Sequence, residues 1–81
     1  MFWNHRFVNC PSKNGGEDWY ELKEVYYDNL GLPIACTEHA VDVCGESMDE
    51  VYALGYRIAQ AWDKPILHEK DFGELKNERT N

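Results

Sequence analysis

The run Tyr20-Glu-Leu-Lys-Glu-Val-Tyr-Tyr-Asp-Asn-Leu-Gly-Leu-Pro33 sets the tightest limit on what this chain can fold into. Tyr20, Leu22, Glu24 and Tyr26 alternate with Glu21, Lys23, Val25 and Tyr27. Aromatic and β-branched residues in that pattern fit a pleated surface. Asp28-Asn-Leu-Gly31 then turns the chain. Asp28 suits the first turn position, where its carboxylate accepts backbone amides, and Gly31 suits the left-handed residue that closes a type I turn with a bulge. Pro33 follows at the start of a strand, where its missing N–H is tolerated. The segment reads as a hairpin that sets sheet register, and it names no activity.

The rest of the chain arranges itself around that hairpin. Phe2–Asn9 reads as a first strand. Trp3, His5 and Phe7 share one face, and Phe2, Asn4, Arg6 and Val8 share the other; the two large aromatics favour the Trp3/Phe7 face as the buried one. Residues 10–18 read as a loop, with Pro11 and Asn14-Gly15-Gly16 as breakers. A third strand is expected over 34–43. After Gly45-Glu46, Ser47-Met-Asp-Glu50 has the pattern of a capping box, and Asp49 and Glu50 suit the positive end of a helix dipole. Val51, Leu54, Gly55, Ile58 and Trp62 follow at helical spacing as the core stripe. Lys64-Pro65 stops the helix, and Pro65-Ile-Leu67 is expected to pack back on the sheet. The predicted fold is α+β: a three-stranded antiparallel meander with one helix packed on a face, in the order β-β-β-α. Residues 1–72 form the single domain, and 73–81 a charged, frayed tail.

Eighty-one residues bury only about 60–65% of the surface that the unfolded chain exposes, so stability at this size is marginal. An aromatic content of 14% offsets part of that, because each ring buries a large apolar area. Fifteen Asp and Glu against eight Lys and Arg give a net charge of −7. Affinity for the phosphate backbone comes from Lys and Arg, so direct nucleic-acid binding is disfavoured and a protein with a basic surface is the expected partner. The start Met1-Phe-Trp-Asn-His-Arg lacks the apolar stretch of a signal peptide, and no run approaches a membrane span. Three cysteines, an odd set, then fit reduced thiols in a cytoplasm.

No constellation of residues points to catalysis or to a cofactor. Cys36 and His39 have a short spacing, but residues three apart on a strand face opposite ways and cannot grip one metal ion. The same parity separates a cysteine nucleophile from His39, and no third orienting group is present. The carboxylate pairs Glu17/Asp18, Asp49/Glu50 and Glu69/Asp71 fall in loops, at a cap and towards the tail, all wet positions unsuited to a shifted pKa. Asn14-Gly-Gly has neither the helix nor the Lys of a phosphate loop. No catalytic, cofactor or metal residue is therefore assigned. The candidate partner-binding residues are Tyr52 and Tyr56, on the flank and outer side of the helix, with Asp49, Glu17 and Asp18. Tyrosine pairs a large apolar body with a polar tip and is enriched at protein interfaces. Open sheet edges add a template for strand addition, and together with the aromatic excess they lean towards a homodimer.

Trp3-Asn4-His5-Arg6, the Glu-Val-Tyr-Tyr-Asp28 run with Gly31-x-Pro33, Thr37-Glu38, Gly45-Glu46-Ser47 and Lys64-Pro65-Ile66-Leu67 together resemble a group of short proteins of bacteria and their phages. The resemblance covers most of residues 2–72 and implies no activity. The β-β-β-α order and the Gly-Glu-Ser-x-x-Glu start of the helix are also similar to the small domain of HicB-type antitoxins. That resemblance implies a three-stranded sheet with a helix that binds a small toxin, although the DNA-binding segment usual in such antitoxins has no counterpart here.

Overall fold

The hairpin forms as its sequence dictates. In the computed structural model, which describes residues 2–72, β2 (Tyr20–Tyr27) pairs antiparallel with β3 (Pro33–Cys36). Asp28 Oδ1 accepts from the amides of Leu30 and Leu32, both at 2.9 Å, and the Asp28 carbonyl accepts from Gly31 N–H at 3.0 Å. Gly31 takes φ +84°, which only glycine adopts freely. The extra residue is absorbed as a register shift between Tyr26 and Tyr27. On its other side β2 pairs antiparallel with all of β1 (Phe2–Asn9), from Phe2 opposite Tyr27 to Asn9 opposite Tyr20.

The sheet is not the three-stranded antiparallel meander that the pattern suggested. A fourth strand, β4 (Leu67–His68), runs parallel to β1, giving a mixed sheet in the order β3-β2-β1-β4; the class remains α+β. The cause lies at Pro65. Proline cannot continue the helix, and Arg6 Nη2 donates to the Pro65 carbonyl at 2.6 Å. The chain is thereby laid beside β1 just before Leu67 pairs with Val8. Two residues carry no alternation, so they give no strand signal of their own.

The third strand is also shorter than the expected 34–43. Regular pairing ends at Cys36. Thr37 N–H still reaches the Glu24 carbonyl at 3.0 Å, and Val41 N–H reaches Leu22 at 2.8 Å, so Glu38, His39 and Ala40 loop out between them. The Thr37 and Glu38 carbonyls are instead taken by the buried ammonium of Lys23, at 2.9 and 2.8 Å. A backbone carbonyl held by a side-chain cation no longer pulls the strand into a regular ladder.

The two sheet faces are covered by different elements. Val8, Val25 and Tyr27 share one face and form the core with Cys10 and Phe72, joined by half-buried Cys36 and Leu67. Phe72 arrives on a 3-10 turn, Glu69–Phe72, and Glu69 is fixed by the amide and hydroxyl of Ser12. The most buried face is therefore opposite the Trp3/Phe7 face that was expected, and Trp3 is 42% exposed. The helix, α1 (Met48–Ala59), lies over the Trp3/Phe7 side of β1, beside Trp3 and His5, with no fully buried residue of its own. Its cap forms: Ser47 Oγ accepts from Glu50 N–H at 3.3 Å, and Glu50 Oε1 accepts from Glu46 N–H at 2.9 Å. From Gln60 to Asp63 the helix tightens to 3-10. Fewer residues per turn rotate the stripe, so Ala61 is buried in place of Trp62, which is 73% exposed.

Among the described residues no helix is long and apolar enough to cross a membrane. The expected tail, residues 73–81, lies outside the described residues.

Candidate functional site

The charge of this chain is sharply segregated. Residues 24–56 hold seven acidic side chains (Glu24, Asp28, Glu38, Asp42, Glu46, Asp49 and Glu50) and no Lys or Arg. The remaining sequence is balanced, with eight of each sign, so the whole net charge of −7 belongs to this stretch. In space it comprises the end of β2, the hairpin turn, β3, the irregular segment 37–47 and the first two turns of α1.

Five of the seven, Glu38, Asp42, Glu46, Asp49 and Glu50, are exposed; Glu24 is half-buried and accepts from the Tyr26 hydroxyl, and Asp28 is turned to the amides of Leu30 and Leu32. Lys23 and Lys13 grip the backbone where the stretch leaves the sheet, Lys13 Nζ reaching the Glu38 carbonyl at 2.6 Å. Both ammonium groups also meet Glu21, at 3.6 and 3.1 Å. Partial burial would raise the Glu21 pKa, but hydrogen bonds from Trp19 and Lys13, together with both lysine charges, hold the carboxylate below its usual range. The cations thus spend themselves on Glu21 and on main-chain oxygens, and the Glu38 side chain stays exposed. Further along, Ser47 starts the helix so that Asp49 falls in its first turn. Glu38, Asp42, Glu46 and Asp49 are all exposed. Exposed Val43 and Met48 fall between them in the chain, and exposed Tyr52 and Tyr56 follow Asp49 on α1.

The expected binding residues divide into two groups. Asp49, Tyr52 and Tyr56 fall at i, i+3 and i+7 on α1, one face of the helix, and Tyr56 is 78% exposed. Glu17 and Asp18 lie in the β1–β2 connection, outside the acid-only stretch. Asp18 is engaged there, accepting from Asn9 Nδ2 at 3.0 Å and from the Tyr20 hydroxyl at 3.4 Å. Glu38, Asp42 and Glu46 escaped the reading of the sequence. The order of charges along the chain, rather than their sum, carries the signal that would have found them.

Other chemistry is sparse. Cys10 is buried, its thiol donating to the Val8 carbonyl at 3.4 Å, and burial pushes its pKa up, the direction that disfavours a nucleophilic thiolate. His5 is 3% exposed and lines a cavity of about 100 Å³ with Trp3, Asn4, Arg57 and Gln60. Burial lowers its pKa; Glu24 opposes the shift and Arg57 adds to it. Among the described residues no three His, Cys, Asp or Glu side chains gather as metal ligands. No protein-family model matches the chain, and no curated protein or solved structure is significantly similar to it.

Proposed function

We propose that this chain is a small cytoplasmic binding protein, without catalysis of its own, that modulates another protein by covering a basic surface on it. The observation that carries this reading is the stretch 24–56, which holds no Lys or Arg and carries exposed Val43, Met48, Tyr52 and Tyr56 beside its exposed carboxylates. Apolar and aromatic anchors supply affinity when desolvated, while the surrounding charge steers association and rejects acidic partners. A basic groove built for nucleic acid is the natural counterpart, which makes a phage-encoded inhibitor of a host enzyme or nuclease the favoured form of the activity. The second reading is an antitoxin-like partner of a small basic toxin. It draws on the Gly45-Glu46-Ser47 start of α1, and the same acidic face would engage the toxin.

Capture from bacterial lysate, with and without nuclease treatment, tests the proposal when wild type is run beside a Glu46→Lys/Asp49→Lys variant. A protein retained by the wild type after nuclease treatment, and lost with the variant, is the expected result. Equal capture by both, or capture that disappears with nuclease, contradicts it. Identification of the retained protein as a short toxin favours the second reading.

A further inference from the structure

We propose that a second copy of this chain covers the groove around Trp62. The groove, of about 510 Å³, runs between the end of β1 and the chain that leaves α1. Phe7, Tyr20, Trp62, Pro65 and Ile66 form its walls, and Lys64 contributes the charge. Trp62 rests on the Phe7 ring, centroids 4.7 Å apart, yet remains 73% exposed, and Tyr20 and Ile66 are exposed beside it. A contiguous apolar surface of this kind marks an interaction site more often than isolated exposed side chains do.

Charge selects the occupant. Contact between two copies through residues 24–56 would set one acid-only surface against another. The groove lies wholly outside that stretch, in the balanced part of the chain. It also offers both signs at close quarters. Lys64 lines it, Asp63 is the exposed neighbour of Lys64, and Asp18 is hydrogen-bonded to the groove residue Tyr20. A two-fold contact must be self-complementary. Here each copy can insert its projecting Trp62 beside the partner's apolar wall while Lys64 meets a carboxylate across the axis. The need is also present: domains of this length commonly gain stability by association. The contact leaves the acidic faces outside the interface, so the dimer can hold basic partners on both copies.

Sedimentation equilibrium of the full chain, from micromolar to millimolar concentration, tests this. A reversible monomer–dimer equilibrium is expected. Trp62→Ser and Ile66→Glu should each weaken dimerisation at least about tenfold, the effect of losing a central interface anchor. Glu46→Lys/Asp49→Lys should not weaken it. Ile66→Glu serves as the second variant if circular dichroism shows that Trp62→Ser disturbs the fold. A monomer at every concentration overturns the proposal, including one whose groove takes up an apolar dye instead. So does a dimer that both groove variants leave intact. Neither result touches the binding of basic partners by residues 24–56, so the two readings fail separately.

Discussion

Lys23 is only 4% exposed, and acceptors surround its Nζ: the Thr37 and Glu38 carbonyls at hydrogen-bond distance and Glu21 at 3.6 Å. Removing that cation leaves two carbonyls without their donor. Lys23→Met is expected to cost about 2 kcal/mol of unfolding free energy in a urea titration, the scale of hydrogen bonds to a charged group. It should also loosen residues 37–41, seen as faster amide exchange at Val41. Lysine in an alternating strand reads as solvated, and its acceptors lie fourteen and fifteen positions further on. Nothing local to Lys23 could announce its burial. His5 is the second buried polar residue, and its effect depends on pH. In the unfolded chain it titrates near 6.5, while the folded protein holds its pKa lower, chiefly through burial. Above pH 6.5 both states are neutral and its contribution is fully present. As pH falls through 6.5, the unfolded chain binds a proton that the folded chain resists, so stability declines. The difference in unfolding free energy between wild type and His5→Gln should therefore narrow from pH 7 to pH 5. A difference independent of pH would contradict this.

At the scale of elements, legibility followed locality. The turn needed only Asp28 and Gly31, and both act as their positions predict. The helix start needed only Ser47 and Glu50, although Glu50 bonds the amide of Glu46. Pro65-Ile-Leu67 does return to the sheet as expected, but that it pairs there as a strand, β4, could not be read in this way. Its two residues pair with Val8 and Asn9, 59 positions earlier in the chain. Trp62 was misplaced for a different reason. A stripe extrapolated at 3.6 residues per turn fails once the helix tightens at Gln60, and Ala61 takes the inner position. The core face was likewise chosen by a distant element, the Glu69–Phe72 turn, rather than by the aromatics of β1. Phe72→Ala is accordingly expected to cost about 3–5 kcal/mol in denaturant unfolding, the range for emptying a buried aromatic site. Truncating Trp62, a larger side chain, should cost the monomer far less because it is mostly exposed. Equal losses at the two sites would place the core wrongly.

For the whole molecule, the sum of −7 hid a more useful fact, the thirty-odd residues without a single Lys or Arg. Three of the expected binding residues, Asp49, Tyr52 and Tyr56, lie in this stretch, on one regular helix face. Glu38, Asp42 and Glu46 are not among the expected binding residues; the first two fall within the expected strand 34–43, and all three lie exposed on irregular chain. Glu17 and Asp18 carry the same charge but lie outside that stretch, and Asp18 is already engaged by Asn9 and Tyr20. The two proposals use separate surfaces, the acidic stretch 24–56 for a basic partner and the apolar groove for a second copy. The acidic face is tested most directly by nuclear magnetic resonance, titrating the labelled full chain with a short arginine-rich peptide. Shift changes should concentrate on Glu38, Asp42, Glu46, Asp49, Tyr52 and Tyr56, weaken as salt is raised, and vanish in Glu46→Lys/Asp49→Lys. Changes spread evenly over all acidic residues, or centred on Glu17 and Asp18, would contradict the account.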